Sequence, residues 1–324
     1  MPPSIKQWIF SLGQTTGTFA LGRKLTRSSL RVFTWHGVQN IDDPVLNLDC
    51  LQVSPGLFYR QIRWIRDHFQ VLDPKTLANG QPWPDQSALL TFDDGYRNNL
   101  TEALPVLQAC GLPALFFVST AYVEGSDFPW WYRLRWVIRH AGKPVIQSPE
   151  GDRLPLSTLE DRRSAALCWE SFLVNRPQGE QMDQLAKLEI ACQPDATFKP
   201  CFEFLTPDDL KHMIDAGMTL GFHGHQHLAY GVEAPDVIRQ DHERSVRCFD
   251  AWQLPVAPLL AYPYGSLPLA GSDGERFSLG IQSAFTTQMG INPPGGNGLY
   301  LKRFDVNGGR NPANLAAISS GLYR

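Results

Sequence analysis

Short runs of β-forming residues recur along this chain, each closed by a polar or glycine-bearing loop and followed by residues at helical spacing, and this rhythm constrains the fold more than any other feature. Leu30 to Trp35 (LRVFTW) ends at His36-Gly37, and Ala88 to Phe92 (ALLTF) ends at Asp93-Asp94-Gly95. Met218 to Phe222 runs into a histidine-rich loop, and further strands are expected at Leu112 to Ser119, Ala257 to Ala261 and Ser283 to Thr287. Between them, Leu57, Phe58, Ile62, Ile65 and Phe69 share one helical face behind Ser54-Pro55, which supplies a cap and a first-turn proline. Asn99 to Cys110 and Asp236 to Trp252 also have helical period, and Thr206-Pro207-Asp208-Asp209 opens a helix that stops at Ala216-Gly217. Such alternation predicts a parallel α/β barrel or a doubly wound sheet.

The rhythm breaks between about residues 124 and 200. This stretch starts with Trp130-Trp131-Tyr132-Arg133-Leu134-Arg135-Trp136 and continues with polar helical sequence at Leu159 to Asn175 and Gln181 to Cys192. We read it as a mostly helical insertion within a catalytic domain spanning residues 31–324. Ahead of that domain, residues 1–30 set Lys6, Arg23, Lys24 and Arg27 beside Trp8, Ile9, Phe10, Phe19 and Leu21. Such a basic amphipathic segment fits either a helix packed on the domain or one lying on a membrane surface. No apolar run reaches the length of a membrane span, and we read no cleaved signal, so a cytoplasmic location is expected, with peripheral contact to the inner membrane as the alternative that the basic segment leaves open.

Against 32 acidic residues stand 29 Lys and Arg, and the formal charge of −3 gives no electrostatic reason to expect nucleic-acid binding. Six cysteines lie far apart without a CxxC pair, which argues for reduced thiols rather than a disulfide framework or a zinc ribbon.

Two loops carry the chemistry. Asp93 and Asp94 follow a buried strand, where α/β folds commonly build their sites. Neighbouring residues of an extended strand point to opposite faces, so both carboxylates serve one site only if the chain turns, as Gly95 permits. Alone, the pair also fits turn chemistry. Gly221-Phe222-His223-Gly224-His225-Gln226-His227 sets three imidazoles in five residues. An extended four-residue step spans roughly 13 Å, against metal–nitrogen bonds of about 2 Å, so His223 and His227 bind one ion only if the loop curls. A hydrogen-bonded histidine cluster is the other reading.

Taken together, Thr91 to Gly95 and His223-xxx-His227 resemble the first two motifs of the polysaccharide deacetylase family, also called carbohydrate esterase family 4 or the NodB-homology domain. Ala261-Tyr262-Pro263-Tyr264-Gly265 is similar to its third motif. The resemblance implies a distorted (β/α) barrel and a divalent metal, usually zinc, with cobalt, nickel or manganese as alternatives. It further implies that Asp94, His223 and His227 bind the metal and that Asp93 is the general base. The late Leu-x-His motif that often supplies the acid is absent, but Trp35-His36-Gly37 resembles the early motif of a subgroup that includes biofilm poly-N-acetylglucosamine deacetylases. His36 is therefore the expected general acid. Ala261 stands where an arginine commonly orients the base, and Arg303 is expected to replace it. Tyr262, Pro263, Tyr264, Gly265 and Trp131 are the expected sugar-binding residues, with Trp130 and Tyr132 as further aromatic walls, while Trp136 and Trp252 are assigned to the core.

The implied activity is removal of an acetyl group from an N-acetylated sugar during glycan or lipopolysaccharide synthesis. A formylated or lipid-linked amino sugar, or another non-peptide amide, is an alternative substrate. Loss of the usual arginine and late histidine leaves an inactive glycan-binding scaffold as a third reading.

Overall fold

The computed structural model describes residues 16–268, 279–308 and 310–322. Its strands, in chain order, are β1 (Arg31–Trp35), β2 (Gly37–Val38), β3 (Gln52–Val53), β4 (Gln70–Val71), β5 (Ser87–Phe92), β6 (Leu115–Val118), β7 (Val145–Gln147), β8 (Arg153–Pro155), β9 (Thr219–Phe222), β10 (Leu259–Ala261), β11 (Ser283–Phe285) and β12 (Phe304–Asp305). One parallel sheet runs β11-β10-β9-β6-β5-β1-β12, with β4 on the first residues of β5. Leu301 bridges to Phe285 of β11, and three residues later β12 begins its pairing with β1. A single run of chain thus joins the two sheet edges and closes a distorted (β/α) barrel.

Strand periodicity divides each strand between two cores. Phe33, Trp35, Leu90, Phe92, Phe116, Val118, Leu220 and Phe222 face outward into the main core beneath the helices. Trp35 stacks on Phe92 at 5.4 Å and Phe92 on Phe116 at 4.6 Å, so one aromatic ladder crosses three neighbouring strands. Each fully buried ring contributes about 1.5–3 kcal/mol, and Phe92→Ala would cost roughly 3–5 kcal/mol. The alternate residues Val32, Leu89, Leu115, Phe117, Leu259 and Leu301 fill the barrel. That interior is tight: a Cβ at Gly221 would lie 2.8 Å from the Phe117 ring.

The Pro55–His68 and Pro235–Trp252 helices match their expected spans. Thr206 and Asp209 form a capping box ahead of the Pro207–Asp215 helix. Asn99 to Cys110 departs from a single α-helix: it opens with a π turn over Asn99–Ala103 before the α-helical Leu104–Cys110. Pro105 lacks the amide that would continue the α-pattern backward, which accounts for the wider first turn. Between β6 and β9 lie the helices Trp130–Arg139, Leu159–Leu173 and Gln178–Cys192 and the antiparallel β7–β8 pair. They share an aromatic core that includes Tyr96, Trp131, Trp136, Trp169 and Phe202. Trp136 is buried there, and Trp252 packs against the main core.

Of the amphipathic segment expected at residues 1–30, Lys6, Trp8, Ile9 and Phe10 lie outside the described residues. The Thr18–Leu25 helix packs Phe19 against Ala316 and Ala317 of the Pro312–Ile318 helix, leaving Leu21 and Leu25 exposed. No helix among the described residues is long and apolar enough to cross a membrane.

Candidate active site

The barrel interior changes from apolar to polar toward the C-terminal strand ends, as period-2 alternation leads from Val32 to Thr34 and His36, and from Leu89 to Thr91 and Asp93. A cavity of about 350 Å³ opens there, lined by Thr34, His36, Asp93, Asp94, His223, His227 and Arg303, with Trp130, Trp131, Tyr262 and Tyr264 among its walls.

The two aspartates reach one site because the chain turns at Asp94 itself, with φ 74°, as well as at Gly95, with φ 85°. His227 and Tyr264 also have positive φ, at 56° and 57°. Left-handed backbone at three non-glycine residues around one cavity is a cost that surrounding packing must offset, and it clusters where geometry is demanded.

The histidine loop curls as one-ion binding requires. Gly224 adopts φ 74°, and a Cβ there would sit 2.8 Å from Asp241 Oδ2. Asp241 accepts the His225 amide at 2.7 Å and the Gln226 amide at 2.8 Å, which ties the loop to the Pro235–Trp252 helix. Burial pushes the Asp241 carboxyl up to about 6 despite these two bonds. Gly224 is therefore the residue that leaves space for this tether.

His223 Nε2 and His227 Nε2 lie 3.1 Å apart, and Asp94 Oδ1 is 3.2 Å from the first and 3.3 Å from the second. All three side chains are buried. His223 Nδ1 donates to the Ala261 carbonyl at 2.8 Å, which leaves the Nε2 lone pair facing Asp94. Asp94 Oδ1 nonetheless takes no well-aligned hydrogen bond. Three acceptor-type atoms converging on one point, with an orphaned carboxylate oxygen among them, fit a divalent cation. Burial opposes ionisation of Asp94, but its contacts with His223 and His227 hold it well below the usual carboxylate range.

Asp93 is anchored differently. Arg303 donates Nη1 to Asp93 Oδ1 and Nη2 to Oδ2, both at 2.7 Å, and also reaches Thr34 Oγ1 at 3.1 Å and the Thr286 carbonyl at 2.9 Å. The arginine missing from position 261 is thus matched by one arriving from β12's side of the barrel. Burial would raise the Asp93 carboxyl; the Arg303 guanidinium and His223 keep it below its ordinary value. His36 is half-buried, its Nδ1 is 3.1 Å from Asn307 Nδ2, and its carbonyl accepts the Asn99 side chain at 2.7 Å.

Trp131 lies 5.0 Å from the His227 ring and Tyr264 4.4 Å from it, while Trp130 Nε1 donates to Tyr264 Oη at 2.8 Å. Three expected sugar contacts do not reach the cavity. Pro263 is buried under the turn, and Gly265 packs where a side chain would collide with Thr287. Tyr132 points into the aromatic core, its hydroxyl accepting from Tyr96 at 3.2 Å, because adjacent residues of a helix face different sides. Sequence reasoning missed Asn307, Asp49 and Glu170. The last two line the cavity mouth and are held by the buried Arg135, with Glu170 at 2.7 and 2.9 Å. Arg135 amid the aromatic segment was the available signal, but nothing in the spacing paired it with either acid.

The polysaccharide deacetylase family profile matches residues 80–271. A poly-beta-1,6-N-acetyl-D-glucosamine N-deacetylase of Escherichia coli (strain K12) is 29% identical over 98 residues, 28% of this chain and 14% of that protein. The chain therefore matches only a small part of that relative's length. The structure of IcaB from Ammonifex degensii superposes with a TM-score of 0.57 at 18% identity, covering 90% of this chain and 97% of the other. A Streptococcus pyogenes deacetylase, PplD, in complex with acetate gives a TM-score of 0.57 at 16% identity, covering 91% and 99%. At such identities the superpositions establish the fold.

Proposed function

The chain belongs to the polysaccharide deacetylase family, and on that premise we propose that it is a metal-dependent hydrolase that removes the N-acetyl group from an N-acetylated sugar or glycan. One observation carries the reading: the Arg303-anchored carboxylate of Asp93 shares a cavity with the convergent Asp94, His223 and His227. Those three residues would hold the ion, and zinc suits two imidazoles and one carboxylate. When bound, the ion supplies Lewis acidity toward an acetamide carbonyl and lowers the pKa of water at the site.

The chain's own groups divide the remaining work. Asp93, kept ionised by Arg303, accepts the proton of the attacking water, and the fork of two hydrogen bonds holds its carboxylate in one orientation. His36, positioned through Asn307 and Asn99, delivers a proton to the departing amine. Trp131 and Tyr264 offer flat faces to a pyranose ring, and Trp131 Nε1, buried without a partner among the described residues, offers a donor to a sugar oxygen.

The similarity to a poly-N-acetylglucosamine deacetylase supports N-acetylglucosamine oligomers as first substrates. The test is metal content measured alongside acetate release from such oligomers, before and after chelation and restoration with zinc or cobalt. Release that follows the metal supports the reading, and release that is indifferent to chelation refutes it. The exposed Leu21 and Leu25 beside Arg23 and Lys24 support a second reading, a lipid-linked substrate met at a membrane surface. Removing residues 1–28 should then release the protein from anionic vesicles, and undiminished vesicle binding would reject this arrangement.

A further inference from the structure

His225 takes no part in the cavity just described. Its side chain is buried on the opposite side of the loop, where Glu124 and Cys248 meet it. The three residues come from separate elements: the Thr120–Glu124 helix, the loop after β9, and the Pro235–Trp252 helix. Their candidate ligand atoms all lie within 4.8 Å of one another. Cys248 Sγ is 3.3 Å from Glu124 Oε1 and 3.9 Å from His225 Nδ1. We propose that Glu124, His225 and Cys248 form a second metal site, selective for zinc-like ions, that clamps the loop carrying His223 and His227.

The distances suit this. With bonds of about 2.3 Å to sulfur and about 2.1 Å to nitrogen and oxygen, these separations correspond to angles at the ion of roughly 95° to 130°, spanning the tetrahedral value. The Thr120 hydroxyl, 2.8 Å from Nδ1, gives up its hydrogen bond when the imidazole turns to the ion. Glu124 is exposed, so a fourth position faces solvent and admits water. A divalent ion at this place displaces the Cys248 proton, and the resulting thiolate together with the Glu124 carboxylate would balance its charge. One sulfur, one imidazole and one carboxylate favour zinc or cobalt over magnesium or calcium.

Thiolate ligation distinguishes this site from the cavity, whose three candidate ligands include no sulfur. The full chain loaded with cobalt should show a near-ultraviolet thiolate-to-cobalt band that persists in His223→Ala and disappears in Cys248→Ser. Zinc-loaded wild type should hold about two equivalents, and each of those variants about one. If His223→Ala fails to fold, the comparison of wild type with Cys248→Ser still decides. Absence of the band in wild type, or its survival in Cys248→Ser, would overturn the proposal. These readouts do not involve acetate release, so failure of this site and failure of the deacetylase reading remain distinguishable.

Discussion

Replacing Arg303 with methionine removes the cationic half of a pair in which both members are almost wholly buried and joined by two 2.7 Å bonds. Leaving one partner of such a pair uncompensated costs roughly 3–5 kcal/mol. Asp93 has one escape, which is to take up a proton; at neutral pH this costs about 4 kcal/mol, from 1.36 kcal/mol per unit over the interval above an ordinary aspartate pKa. The two figures agree, so near pH 7 the variant should lose about 4 kcal/mol through Asp93. The lost bonds to Thr34 and Thr286 add about 1 kcal/mol each. The Asp93 part depends on pH in a defined direction. In the wild type its folded pKa is depressed, so the stabilisation is present above the unfolded value and is lost only as pH falls through the depressed one. In the variant burial dominates and the folded pKa rises, so the penalty grows with pH above the unfolded value. The difference between the two proteins should therefore shrink by about 1.4 kcal/mol per unit from pH 7 toward pH 4.5. Urea denaturation across that range measures it. A penalty that is flat with pH, or below about 1 kcal/mol at pH 7, would refute the account of Arg303 as the group that keeps Asp93 ionised. Arg303→Lys, which keeps the charge without the fork, should fall between the two.

Asp93→Asn should lower turnover by about 10² to 10⁴ with bound metal unchanged, whereas His223→Ala should lose metal and acetate release together, as metal analysis beside the kinetics would record. His36→Ala is expected to reduce kcat by a similar factor with little effect on substrate affinity; an unaltered kcat would leave His36 as a strand-end packing residue. Gly224→Ala imposes positive φ on alanine and brings its Cβ within 2.8 Å of Asp241 Oδ2. It should destabilise by about 1–3 kcal/mol and weaken metal binding, read by thermal unfolding and metal titration.

The parts of the site legible in sequence were those carried by local pattern. Apolar runs ending in Asp93-Asp94-Gly95 and in His223-Gly224-His225-Gln226-His227 announced both the strand ends and the chemistry, because strand periodicity and glycine placement act over a few residues. Arg303 could be nominated for Asp93 only as a charge in search of a partner. Pro263, Gly265 and Tyr132 were assigned to the sugar cleft from their motif or their aromatic neighbours, and the backbone turned each of them elsewhere.

By itself, the sequence determined the α/β rhythm, the strand ends that bear chemistry and the residue types that a metal and a base require, since these follow from the side-chain period and from the intrinsic chemistry of carboxylate and imidazole. Only the tertiary structure decided that Leu301 to Asp305 joins the two sheet edges, that Arg303 thereby meets Asp93 across 210 residues of chain, and that Arg135 holds Asp49 and Glu170 at the cavity mouth. Such contacts depend on how a closed sheet brings distant segments together, and no local preference along the chain encodes that distance.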